Sequence, residues 1–203
     1  MPTQSLFATS IYHSALVGGR TARALNDAIT KEAPKIEQFD LAGKRWSGRH
    51  YPNGYTSYGS LSELFQLSST FARLRVLLDA QVRKFARELG FDARTGRPEM
   101  SNCWLNVNRR GALHTSHLHP HSVLSGSYYV KVPAKSGNIK FEDPRAGLFM
   151  NRPSTRDPQG AYHSITPRAG DIILFESWLR HEVEPNFSDE PRLSVSFNYR
   201  WDR

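Results

Sequence analysis

The stretch Arg192-Leu193-Ser194-Val195-Ser196-Phe197-Asn198-Tyr199 alternates without a break. Leu193, Val195, Phe197 and Tyr199 fall on one side of an extended chain, and Arg192, Ser194, Ser196 and Asn198 on the other. That is the period of a half-buried strand. Upstream, the same period continues back to Pro98. Residues 101–108 set Cys103, Leu105 and Val107 against Asn102, Trp104 and Asn106, and residues 123–132, 138–141 and 172–175 are further strand candidates. Turn residues separate them, and several short strands so spaced indicate a β-sandwich or barrel.

Before Pro98 the period changes. Ala22, Leu25, Ala28 and Ile29 recur at helical spacing within residues 20–35. Residues 69–89 carry a stronger stripe of Phe71, Leu74, Leu77, Leu78, Val82, Phe85 and Leu89, with Gly90 placed to close the helix. Between these helices, residues 45–60 are rich in Gly, Tyr, Ser and Asn and include Asn53-Gly54. They read as loop or irregular strand, a surface connection in preference to a flap over a binding site. The helices are expected to pack on one face of the β core. Residues 1–203 then form one domain, with a helical flank over 1–97 and the core over 98–203.

A chain of 203 residues can bury one sizeable core. With 38% hydrophobic residues it is globular, neither disordered nor collagen-like. It lacks an apolar run of the ~18 residues a membrane span needs, and its first residues do not resemble a secretory leader. The single cysteine, Cys103, is expected in the core, which fits a reducing cytoplasm. The formal charge of +8 comes from scattered basic residues. Nucleic acid is therefore not favoured as a partner, and attraction of small anions explains the charge as well. The sequence leaves a homodimer open.

Four of the eight histidines lie in Leu113-His114-Thr115-Ser116-His117-Leu118-His119-Pro120-His121. In an extended chain His117 and His119 project from one face and can reach one ion, and imidazole is a common metal ligand. Pro120 biases His119 toward extended backbone. A third ligand is needed. His181 follows the apolar run Ile172-Ile173-Leu174-Phe175 after a short loop, at the start of another strand candidate. Eleven residues further on, Arg192 shares a face with Ser194. A guanidinium and a hydroxyl so placed can jointly grip a carboxylate.

The order of HxH, about 60 residues, H, about ten residues and RxS is similar to that of the Fe(II)- and 2-oxoglutarate-dependent oxygenases. It is most like the bacterial and phage branch grouped as 2OG-Fe(II) oxygenases. His117-Leu118-His119-Pro120, Leu124-Ser125-Gly126-Ser127-Tyr128-Tyr129-Val130, Phe141-Glu142-Asp143-Pro144-Arg145 and Phe175-Glu176-Ser177-Trp178-Leu179-Arg180-His181 all resemble it. His181-Glu182-Val183-Glu184-Pro185 also resembles the distal motif of prolyl hydroxylases. The resemblance covers roughly residues 100–200. It implies a double-stranded β-helix, a cupin-like jelly roll.

It also implies that His117, His119 and His181 hold Fe(II), and that Arg192, with Ser194 or Tyr128, binds the distal carboxylate of 2-oxoglutarate. The reaction implied is hydroxylation of a small-molecule or peptide substrate. The family's common ligand set is two histidines and a carboxylate, whereas His119 stands at the carboxylate position here. Either three histidines bind the ion, or Asp143 or Glu142 supplies the carboxylate, or His114 or His121 replaces one of the pair. Three histidines also suit zinc. A cupin-like Zn or Mn enzyme and a non-catalytic jelly-roll binding protein are therefore the rival readings. Residues 151–160 read as a loop and a candidate lid, Trp178 as wall or core, and Asp143-Pro144-Arg145 as a turn.

Overall fold

The structure is a computed structural model that describes residue 4, residues 6–145, residues 150 and 153, and residues 160–203. Most of the candidate lid, residues 151–160, lies outside the described residues.

Two antiparallel sheets form the core. The larger runs β1 (Ile11–Ala15), β8 (Asp171–Glu176), β5 (Leu124–Lys131), β10 (Arg192–Asp202), β3 (Arg97–Asn108) and β2 (Gly54–Thr56). The smaller runs β4 (His114–His117), β9 (His181–Val183), β6 (Ile139–Glu142) and β7 (Tyr162–Ile165). From β3 to β10 the chain crosses between the sheets repeatedly, which is the winding of a double-stranded β-helix. The alternation in β10 has its physical basis in two different neighbours. Its apolar side faces helices, and its polar side faces the space between the sheets.

That apolar side meets α1 (Gly19–Phe39) and α4 (Ser69–Glu88), the latter preceded by the single turn α3 (Leu64–Leu67). Leu25 and Ile29 of α1 and Phe71, Leu74, Leu78, Val82 and Phe85 of α4 form one core with Leu105, Val195, Phe197 and Tyr199. The Ser68 side chain accepts from Thr70 N–H at the start of α4, relieving one unpaired amide. Gly90 takes the left-handed conformation just beyond its end, at φ +78°. A smaller core of Tyr129, Ile139, Phe141, Ile173, Phe175 and Leu179 lies between the sheets.

Residues 45–60 depart from the sequence reading. They contain most of the helix α2 (Leu41–His50) and the strand β2, not a plain surface connection. Gly43 and Gly48 weaken the helical pattern, and the tertiary contacts compensate for them. Asp40 caps α2 by accepting from Gly43 N–H at 2.8 Å. Its other oxygen accepts from the Tyr55 hydroxyl at 2.9 Å, tying α2 to β2. No helix among the described residues is long and apolar enough to cross a membrane.

Candidate metal centre

β4 and β9 pair so that His117 and His181 are direct cross-strand partners, and Phe141 of β6 lies opposite His181 on the other side. His119 lies just past β4. Its backbone N–H donates to Ser177 O at 3.0 Å, pinning it to the loop that leads into His181. One ligand nitrogen from each of His117, His119 and His181 then lies within 4.8 Å of the others. The Nε2 atoms of His119 and His181 are 3.3 Å apart.

Two of these rings are oriented through their other nitrogen. His117 Nδ1 lies 2.7 Å from Thr115 O, and His181 Nδ1 lies 2.9 Å from Leu179 O. A carbonyl can only accept, so in the neutral rings Nδ1 carries the proton and the Nε2 lone pair is free for an ion. Neutrality is enforced by burial. It pushes His119 down to about 4, helped by the nearby His117, and holds His181 well below the ordinary 6.5. Burial also lowers His117, against its bond to Thr115. Two nitrogens each ~2.1 Å from one ion, at right to tetrahedral angles, sit about 3.0–3.4 Å apart, so the observed spacing accommodates a metal.

The other suggested ligands lie elsewhere. Glu142 is next to Arg180, 3.9 Å away, and Asp143 is paired with Arg145 at 2.7 Å. His121 is exposed, with φ at +63°. His114 is not within the ligand group; its ring stacks on Tyr51, centroids 4.3 Å apart. Among the described residues, therefore, the group consists of histidines alone.

Arg192 is buried, 2% exposed, and donates from Nη1 toward Ser136 O and Gly137 O at 3.3 and 3.2 Å. Ser194 shares its face of β10 and is buried too. Tyr128, the suggested tyrosine partner of Arg192, is on the wrong side of the sheet. It belongs to the helix-facing core, and its hydroxyl donates to Asn26 Oδ1 at 2.6 Å. Tyr129 faces the interior instead, and its phenol is near enough to Arg192 to interact with the guanidinium charge. Of two consecutive strand residues only one can face inward. The bulge between Leu193 and Ser194, where Ser194 pairs with Tyr129, shows which does.

A cavity of about 450 Å³ opens over the histidines, within the ~300–1,000 Å³ usual for small-molecule sites. Trp104 and Asn106 of β3, Ser127 of β5 and Ser196 of β10 form one wall. Residues 45–60 form much of the opposite wall, through Trp46, His50, Tyr51, Pro52, Thr56 and Tyr58. Sequence reasoning ranked this role, a flap over a binding site, below a surface connection, because its signal is only a concentration of aromatic residues beside glycines. No Lys, Arg, Asp or Glu lines the cavity among the described residues. Trp178, expected as wall or core, is 49% exposed, and Leu179 supplies the core contact instead.

Residues 102–198 match the family described as "Putative 2OG-Fe(II) oxygenase". No curated protein matches the chain. Solved structures share the fold. The epimerase SnoN of nogalamycin biosynthesis, in complex with Fe3+ and alpha-ketoglutarate, superposes with TM-score 0.65 at 15% identity, covering 95% of this chain and 79% of that one. HygX from Streptomyces hygroscopicus, with nickel and 2-oxoglutarate bound, gives 0.62 at 12% identity, covering 95% and 83%. A prolyl-4-hydroxylase from Pseudomonas putida gives 0.55 at 17% identity, covering 96% and 94%. The matched family is one of 2OG-Fe(II) oxygenases, and the histidine group could hold a metal ion such as iron.

Proposed function

We propose that this chain, a 2OG-Fe(II) oxygenase by the family match over its β core, holds Fe(II) on the Nε2 atoms of His117, His119 and His181. The distal carboxylate of 2-oxoglutarate is met by Arg192 and Ser194, and an unactivated C–H bond of a separate substrate is hydroxylated. The observation that carries the reading is the convergence of the three imidazoles, two of them with Nδ1 committed to a backbone carbonyl. Iron held by these three histidines would supply, with O2 and 2-oxoglutarate, the oxidation that delivers one oxygen atom to the substrate and the other to succinate, with loss of CO2.

The chain's own part is to orient and to exclude. The carbonyls of Thr115 and Leu179 fix the two rings, and Phe141 and Phe175 pack against His181 and keep water from that side. Arg192, with one bare guanidinium nitrogen inside the barrel, supplies charge for a carboxylate. The aromatic, uncharged cavity wall supports a small molecule or an uncharged peptide side chain as the part of the substrate that enters. A polyanion finds no cationic wall there. The buried Cys103 supports a reducing, cytoplasmic setting.

The test is anaerobic titration of Fe(II) and 2-oxoglutarate into untagged protein, read by visible charge-transfer absorption. A band that needs both components and is lost in His181→Ala is the expected result. Tight zinc retention with no such band would instead support the cupin-like zinc enzyme, which three histidine ligands also suit.

A further inference from the structure

Two of the three rings at the metal centre are held through Nδ1, but the third, His119, has no such partner among the described residues. Its place is set through the backbone, by the 3.0 Å bond from its N–H to Ser177 O. Ser177 directly follows β8, and the loop it opens serves two of the three histidines. Ser177 O takes the His119 N–H, and Leu179 O faces His181 Nδ1. Leu179 is anchored by apolar packing in the smaller core. Ser177 is anchored by polar contacts. Its N–H donates to Val123 O at 3.1 Å, and its hydroxyl lies 2.7 Å from Ser125 Oγ on β5. Ser125 donates in turn to Asn198 Oδ1 on β10, at 2.8 Å.

The direction of this relay follows from its end. An amide oxygen can only accept, so the Ser125 proton is committed to Asn198 and the Ser177 hydroxyl must donate to Ser125. All three side chains are at most 2% exposed. Buried hydrogen bonds add little net stability over the same groups in water, but they are directional, so they fix one geometry where apolar packing tolerates several. The β10 strand shifts register between Asn198 and Tyr199, and such a bulge re-aims the side chain beside it. We propose that the Ser177–Ser125–Asn198 relay is a positioning device for His119. It fixes the Ser177 carbonyl against the larger sheet and so sets how far the His119 imidazole reaches toward an ion shared with His117 and His181. This rests on the three-histidine metal reading above. His119 depends on the relay because it lies beyond the end of β4, outside the ladder that aligns His117 with His181.

The experiment titrates Co(II), whose visible d–d absorption reports its coordination geometry, into the untagged full chain. Ser177→Ala is expected to weaken Co(II) by about 10-fold, the lower end of what loss of an outer-shell partner does, and to alter the bound Co(II) spectrum. In a His119→Ala background the same substitution should cause no further weakening and no spectral change, because the ring it positions is gone. The urea midpoint of the metal-free protein should fall equally in both backgrounds, which separates lost stability from lost position. Ser125→Ala keeps the Ser177 hydroxyl and removes its acceptor. It should repeat the pattern, and it carries the test if Ser177→Ala does not fold. Unchanged Co(II) affinity in the single variants, or equal weakening with and without His119, would overturn the proposal while leaving the metal reading standing. Wild-type protein that binds no Co(II) would overturn both.

Discussion

His119 stands where the common ligand set of 2OG-Fe(II) oxygenases has a carboxylate, and the carboxylates of Glu142 and Asp143, outside the histidine group, are engaged by Arg180 and Arg145. If His119 is a ligand, His119→Asp restores two histidines and a carboxylate and should keep Fe(II) affinity. His119→Ala should lose more than the ~10–100-fold typical of removing an outer-shell partner. Equilibrium metal titration of the two variants separates them. His119 and the neighbouring His114 make the metal-free fold sensitive to acid. Burial holds His114 at about 3 and His119 at about 4, against 6.5 for the free side chain. Between those values and 6.5 the unfolded chain binds more protons than the folded one, so stability falls as pH drops. It is fully present above pH 6.5 and is lost progressively toward pH 3. Urea midpoints of the metal-free protein at pH 7.5 and pH 5 should show the decrease, and a flat profile would mean that the rings are not buried as neutral bases.

At the scale of elements, α4 and β10 do the most to organise the molecule, and both announce themselves by periodicity. Leu78 of α4 is fully buried against the larger sheet. Leu78→Ala should cost about 2–5 kcal/mol, seen as a lower denaturant midpoint with little effect on metal affinity. The elements that periodicity does not show are short or irregular, namely β1, β2, β4, β7 and α2. A strand of three to five residues has too few alternations to stand out, and its pairing partners provide the order. β4 holds His114 and His117, so the strand that matters most to the site is among the least legible. The histidine spacing, not the strand pattern, reveals it.

At the scale of the whole molecule, the helices and the larger sheet share one core. Residues 98–203 alone would expose Leu105, Val107, Val130, Leu174, Val195 and Phe197 to water. That fragment should aggregate or stay molten, as judged by size-exclusion chromatography and near-UV circular dichroism, whereas the full chain stays monodisperse. The helical flank also walls the cavity through residues 45–60, so loss of fold and loss of the site should coincide.

The sequence by itself determined the class of fold, the main strands and helices, and the residue types that can hold a metal. Those properties depend on local period and on side-chain chemistry, both of which one chain displays directly. Only the tertiary structure decided that His117 and His181 are cross-strand partners, that Tyr129 and not Tyr128 faces the interior, and that Tyr51 stacks on His114. Each of these depends on register, on a bulge, or on a turn that brings together residues far apart in the chain. A shift of one residue in a strand reverses which side chains point inward, and no local pattern in this sequence specifies that shift.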